Sequence, residues 1–117
     1  MASFEVIYEE DDDALEVSFA VFDEHFARAI VLNDNITLHT DTELATAWGM
    51  TFYSYATLLK VNETFLEGLR ELPDDAKQRV LALLNVPPAS YFLQVLKADE
   101  LRAQIKAPTL LQLIDSP

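Results

Sequence analysis

The 117-residue chain has no cysteine, only two glycines, and eight basic residues against twenty acidic ones. The missing cysteine excludes disulfides, thiolate metal sites and cysteine nucleophiles together. Gly49 and Gly68 lie far apart, so no glycine-rich loop can cradle a phosphate, and dinucleotide and nucleoside-triphosphate binding are not expected. Lys/Arg clusters that would neutralise a phosphate backbone are absent, which argues against a nucleic-acid partner. No apolar run approaches the roughly 20 residues that span a bilayer. The opening segment MASFEVIYEEDDD has neither the basic region nor the long apolar region of a secretory signal. The expectation is a cytoplasmic chain with no membrane partner and no cofactor.

Half of the residues are hydrophobic, which is ample for a core and too many for a disordered chain. A chain of this length is expected to form a single domain over residues 1–117. The net charge of −12 is unevenly spread: residues 1–59 hold twelve acids and one base, Arg28, whereas residues 60–117 hold eight acids and seven bases. All five prolines fall in the second part.

The first part is patterned for strands. Phe4, Val6 and Tyr8 alternate with Glu5, Ile7 and Glu9, and after the acidic run Glu9–Asp13, Leu15, Val17, Phe19 and Val21 alternate with Glu16, Ser18, Ala20 and Phe22. These two strands should pair antiparallel across the acidic turn. Asp23-Glu24-His25 forms a second polar turn, Ala29–Leu32 a short third strand, and Asn33-Asp34-Asn35 a turn or bulge. The stretch from Asn35 to Leu59 organises the rest. Ile36 and Leu38 alternate with Thr37 and His39. Then Leu44, Thr46, Trp48, Met50 and Phe52 fall on one bulky face, and Ala45, Ala47, Gly49, Thr51 and Tyr53 on a face of mostly small residues that lets something pack close to the sheet or leaves a shallow trough.

The second part reads as helical. Leu58, Val61, Phe65, Leu69 and Leu72 recur every three or four residues, predicting a helix from Tyr55 to Leu72 that is capped by Ser54 and holds Gly68 in its buried stripe. Pro73-Asp74-Asp75 opens a second helix with the stripe Ala76, Val80, Leu83 and Leu84. Phe92, Leu93, Leu96, Leu101 and Ile105 suggest a third from Ala89 to Lys106, broken near Asp99, and Thr109–Ile114, including Leu110 and Leu111, is a spare apolar tail. The expected architecture is an α+β fold. An N-terminal antiparallel β-meander of four or five strands (residues 1–53) is covered on one face by three or four C-terminal helices (residues 54–117), because burying each Leu- or Phe-sized side chain is worth roughly 1.5–3 kcal/mol.

Residue constellations for chemistry are weak. The run Glu9, Glu10, Asp11, Asp12 and Asp13 lacks the glycine and the alternate ligand spacing of a calcium loop and reads as a solvated turn. His25 and His39 sit in different elements without metal-ligand spacing. No serine has a histidine close in sequence or a nucleophile-elbow context. The expectation is therefore no catalytic, metal or cofactor-binding residues.

Tyr8, the segment Asp13-Ala14-Leu15-Glu16-Val17, the segment Asn35-Ile36-Thr37-Leu38 and the hairpin into the Gly49 strand resemble a short uncharacterised bacterial β-meander family, Domain of Unknown Function 2283, over residues 4–53. The last strand departs from that pattern, with Gly49-Met50-Thr51 in place of a Gly-Ile-Glu core, and the part from Ser54 onward has no counterpart. The resemblance implies a meander and brings no activity with it.

For function, the leading expectation is a non-enzymatic protein-interaction module that self-associates, most simply as a dimer, through its surplus apolar positions. The alternative is an acidic decoy or antitoxin-like partner that binds a basic protein through Glu9–Asp13 and Asp23-Glu24. A third is a small-ligand binder with a sheet–helix pocket beside Trp48. The candidate interaction residues are Glu9, Glu10, Asp11, Asp12, Asp13, Trp48, Tyr53, Leu110 and Leu111.

Overall fold

A computed structural model of the chain describes residues 5–19, 27–61 and 63–106. Its elements run β1 (Glu5–Glu9), β2 (Ala14–Ser18), β3 (Ala27–Asn33), β4 (Ile36–Asp41), β5 (Ala47–Tyr53), α1 (Tyr55–Lys60), β6 (Thr64–Phe65), α2 (Asp74–Leu84), β7 (Leu93–Lys97) and β8 (Arg102–Ile105). All strand pairs are antiparallel, and they form a five-stranded sheet of order β1-β2-β5-β4-β3 and a three-stranded sheet of order β6-β8-β7.

The expected hairpin across the acidic run is present, with Glu9 opposite Ala14 and Glu5 opposite Ser18. The simple meander is not. After β2 the chain passes to the far edge, and the β3-β4-β5 hairpins return inward until β5 pairs with β2. Residues 28–40 make two strands: Asn33 accepts from the Asn35 amide at 2.8 Å, turning the chain between β3 and β4. Asp41 Oδ1 accepts from the Ala45 and Thr46 amides at 2.7 and 2.9 Å and holds Leu44 at a φ of 60°, so β5 starts at Ala47 rather than Leu44.

The expected helical half is the main correction. Among the described residues only α2 is a helix of substantial length, and it begins after Pro73 as the sequence implied. The helix expected from Tyr55 to Leu72 stops at Lys60, where Val61 turns extended. Thr64–Phe65 is strand and Glu67–Glu71 a 3₁₀ turn. Ser54 does not cap α1 with its side chain; it sits in the left-handed region at a φ of 56°. The third expected helix is a hairpin of β7 and β8, because Leu93 and Val95 face the core together, as do Leu101, Ala103 and Ile105. That period-two pattern competes with the three-or-four spacing of Phe92, Leu96 and Leu101, and short apolar runs leave the two indistinguishable.

One core joins both parts of the chain, from Leu15 to Ile105. The inner face of the larger sheet contributes Leu15, Val17, Ile30, Leu32, Ile36, Leu38, Met50 and Phe52. Leu58 of α1, Val80 and Leu84 of α2, and Leu93, Ala103 and Ile105 of the small sheet cover it. Phe92 bridges the layers, with ring centroids 6.0 Å from Phe19 and 6.4 Å from Phe52. A hydrogen bond adds a second tie: Tyr55 Oη donates to the Lys106 carbonyl at 3.2 Å.

Candidate functional site

The two edges of the five-stranded sheet are treated differently. At the β3 edge, the 3₁₀ turn Glu67–Glu71 lies against the strand so closely that a Cβ on Gly68 would fall 1.9 Å from the Val31 carbonyl oxygen. That contact, rather than helix packing, is what requires glycine here. Asn33 Nδ2 donates to Thr64 Oγ1 at 3.3 Å and to the Phe65 carbonyl at 3.0 Å, tying the same edge to β6. Covering an edge with a loop blocks further strand pairing.

The β1 edge has no such cover among the described residues. β1 pairs with β2 on one side only, and all five of its residues are exposed, including Val6 at 42%, Ile7 at 45% and Tyr8 at 45%. Register places Val6 and Tyr8 on the inner side of the sheet beside Val17 and Leu15, and Glu5, Ile7 and Glu9 on the outer side beside Ser18, Glu16 and Ala14. Tyr53, on the outer side of β5, is 50% exposed.

The acidic turn divides into two roles. Glu9, Glu10, Asp11 and Asp12 are exposed. Asp13, at a φ of 49°, is a structural joint. Its carboxylate accepts from Tyr8 Oη at 2.6 Å and from the Ala56 amide at 3.1 Å, and its carbonyl accepts from the Tyr55 amide at 3.0 Å. Asp13 therefore caps the start of α1 from a distant part of the chain, the role that sequence assigned to Ser54. The Tyr8 bond, followed by the Ala56 amide and more weakly by the charge of Lys60, lowers the Asp13 pKa below the ordinary aspartate value. The same bond, with burial and the carboxylates of Asp13 and Glu10, raises the Tyr8 pKa.

Of the two readings of the small-residue face the structure has the trough, lined by Gly49, Thr51 and Tyr53 of that face but not by Ala45 or Ala47. Ala27, Ala29, Gly49, Ser18 and Thr51 floor it and Ile7, Glu16 and Tyr53 border it, enclosing a cavity of about 570 Å³ open to solvent. Gly49 is required there by β2, since a Cβ would lie 2.6 Å from the Val17 carbonyl oxygen. His39 Nε2 lies 3.1 Å from Thr51 Oγ1 across β4 and β5, a hydroxyl–imidazole pair that local sequence spacing could not reveal. Where β5 meets α1 the sheet–helix interface is packed, with Phe52 5.7 Å from Tyr55 and 6.4 Å from Phe92.

The remaining candidate residues are dispersed. Trp48 is half-buried at the opposite end of β5 from Tyr53, and its carbonyl accepts from the Phe19 amide at 2.8 Å. Leu110, Leu111, the tail Thr109–Ile114, Asp23, Glu24 and His25 lie outside the described residues. Among the described residues no three His, Asp or Glu side chains converge as a metal site, and no helix is long and apolar enough to cross a membrane. No family model, curated protein or solved structure matches the chain.

Proposed function

We propose that this chain is a non-enzymatic protein-interaction module that accepts an added strand along β1. The supporting observation is the contrast between the covered β3 edge and the β1 edge, whose Val6, Ile7 and Tyr8 are exposed beside a backbone paired on one side only. An extended peptide gains main-chain hydrogen bonds at such an edge, and pockets or charges for alternate side chains set its specificity. Two occupants suit this reading: a second copy of the chain, making a dimer, and a basic protein segment.

The test follows from strand geometry. Successive amides along a strand point to opposite sides, so one of Val6 and Ile7 turns its N–H away from β2. Proline at that position removes an outward donor and leaves the β1–β2 ladder in place. Light scattering and peptide titration would be run on the wild type, Val6→Pro and Ile7→Pro. We expect one proline variant to keep its fold and lose association with every occupant. Association that survives in both variants, or a wild type that stays monomeric and binds no extended peptide of either charge, ends the proposal.

A further inference from the structure

We infer that the occupant of the β1 edge is an extended segment in which two basic residues, four positions apart, bracket three apolar ones, rather than a second copy of this chain. The inference rests on the strand-addition reading above and names its partner chemistry. β1 reads Glu5-Val6-Ile7-Tyr8-Glu9, with the two glutamates and Ile7 on the outer side and Val6 and Tyr8 on the inner side. Consider a second β1 added antiparallel so that both faces of the sheet continue and all five residues pair. Ile7 then meets Ile7, Val6 meets Tyr8, and each Glu5 meets a Glu9. The apolar positions match, but both ends place carboxylates directly opposite one another, which is destabilising.

The surroundings add to that repulsion. Glu16 is the cross-strand neighbour of Ile7 on the outer side, and Glu10, Asp11 and Asp12 are exposed at the adjoining turn. Arg28 is the one base in the five strands of the sheet, and it lies on β3 at the far edge. A second copy therefore brings matching shape with like, mutually repelling charge. A segment with Lys or Arg opposite Glu5 and Glu9 keeps the apolar pairs and turns both repulsions into attractions. Charge complementarity of this kind sets partner choice and speeds association.

The chain itself supplies the probe. The double variant Glu5→Lys/Glu9→Lys presents the charge-inverted β1, and both sites are exposed. Sedimentation would be run on wild type, variant and their equimolar mixture at low and high salt. We expect each protein alone to be monomeric. The mixture should form a one-to-one complex at least tenfold tighter than either self-association, weakening as salt rises. A synthetic strand with two lysines bracketing three valines should bind the wild type, and its counterpart with glutamates should bind at least tenfold more weakly. If the wild type dimerises as tightly as the mixture, and the outward proline breaks that dimer, strand addition stands and the basic-partner inference falls. If neither mixture nor peptide binds and the wild type stays monomeric, both readings fall.

Discussion

The β1 and β3 strands are both outer strands of one sheet, yet they are built to opposite ends. β3 presents buried Ile30 and Leu32 to the core, and its free side is filled by Gly68 and tied by Asn33. β1 contributes no residue to the buried core, and its free side carries apolar residues between two glutamates. Both strands carry β-favouring residues, so propensity does not distinguish them. The difference lies in what the later chain does: the segment Thr64–Glu71 returns to the free side of β3, whereas Tyr55 of α1 meets β1 only at the Tyr8 ring, 6.4 Å between centroids, and no described segment hydrogen-bonds along its free side. An edge closed by its own chain is structural, and an edge left open with acids at its ends is suited to selective pairing.

The largest test of that contrast is Gly68→Ala. A methyl group 1.9 Å from the Val31 carbonyl oxygen and 3.0 Å from that of Leu32 has to displace the 3₁₀ turn. The expected cost is about 3 kcal/mol, read from the urea midpoint, with increased aggregation as β3 becomes a second open edge. An unchanged midpoint would show that the turn does not hold the edge shut.

Asn33→Ala should come next. It removes the bonds to Thr64, Phe65 and the Asn35 amide at a site only 8% exposed, and it leaves those partners to find water. The loss should be about 1–2 kcal/mol in the same denaturation assay.

On the β1 side, Asp13 is the one polar residue of the acidic run expected to matter for stability. Its folded pKa is depressed, so its contribution is fully present above the unfolded aspartate value and is lost as pH falls through the lower folded value. Wild-type melting temperature should therefore drop more steeply on acidification below the ordinary carboxylate range than that of Asp13→Asn. Parallel acid profiles would remove Asp13 from this role.

The smallest effect should come from Ile7→Thr, which changes an exposed strand position to another β-branched residue. Stability should move by no more than about 0.5 kcal/mol, while strand binding weakens. A large stability loss would mean that β1 is held by something other than β2.

The strands of the first part were legible because alternation there is long and polar residues separate the runs. Leu15 and Val17 against Glu16, and Ile36 and Leu38 against Thr37, permit one reading. The strand order was not legible, since nothing local tells β2 to wait for β5. The part after Ser54 misled for a physical reason. Thr64-Phe65 and Leu93–Lys97 are short, and Phe92, Leu96 and Leu101 mimic a helical stripe that tertiary pairing overrides. Of the candidate site, the exposed acids and Tyr53 could be read directly, and the β5 part of the trough was one of two readings of the small-residue face, whereas Ser18, Ala27 and Ala29 join it only through strand pairing. The closing of β3 by Gly68 and the capping of α1 by Asp13 depend on contacts between residues far apart in sequence, which no window on the sequence contains.

The pairing of β2 with β5 also sets an order of events during synthesis. The β3-β4-β5 hairpins are local and quick to close, whereas β2 must wait until that whole unit exists before its second side is paired. A ribosome-bound chain thus exposes both sides of its first hairpin for as long as the next three strands take to emerge. The acidic run at the tip of that hairpin, Glu9 to Asp13, is a block of like charge beside strands still unpaired at that stage, and such charge disfavours pairing with another chain.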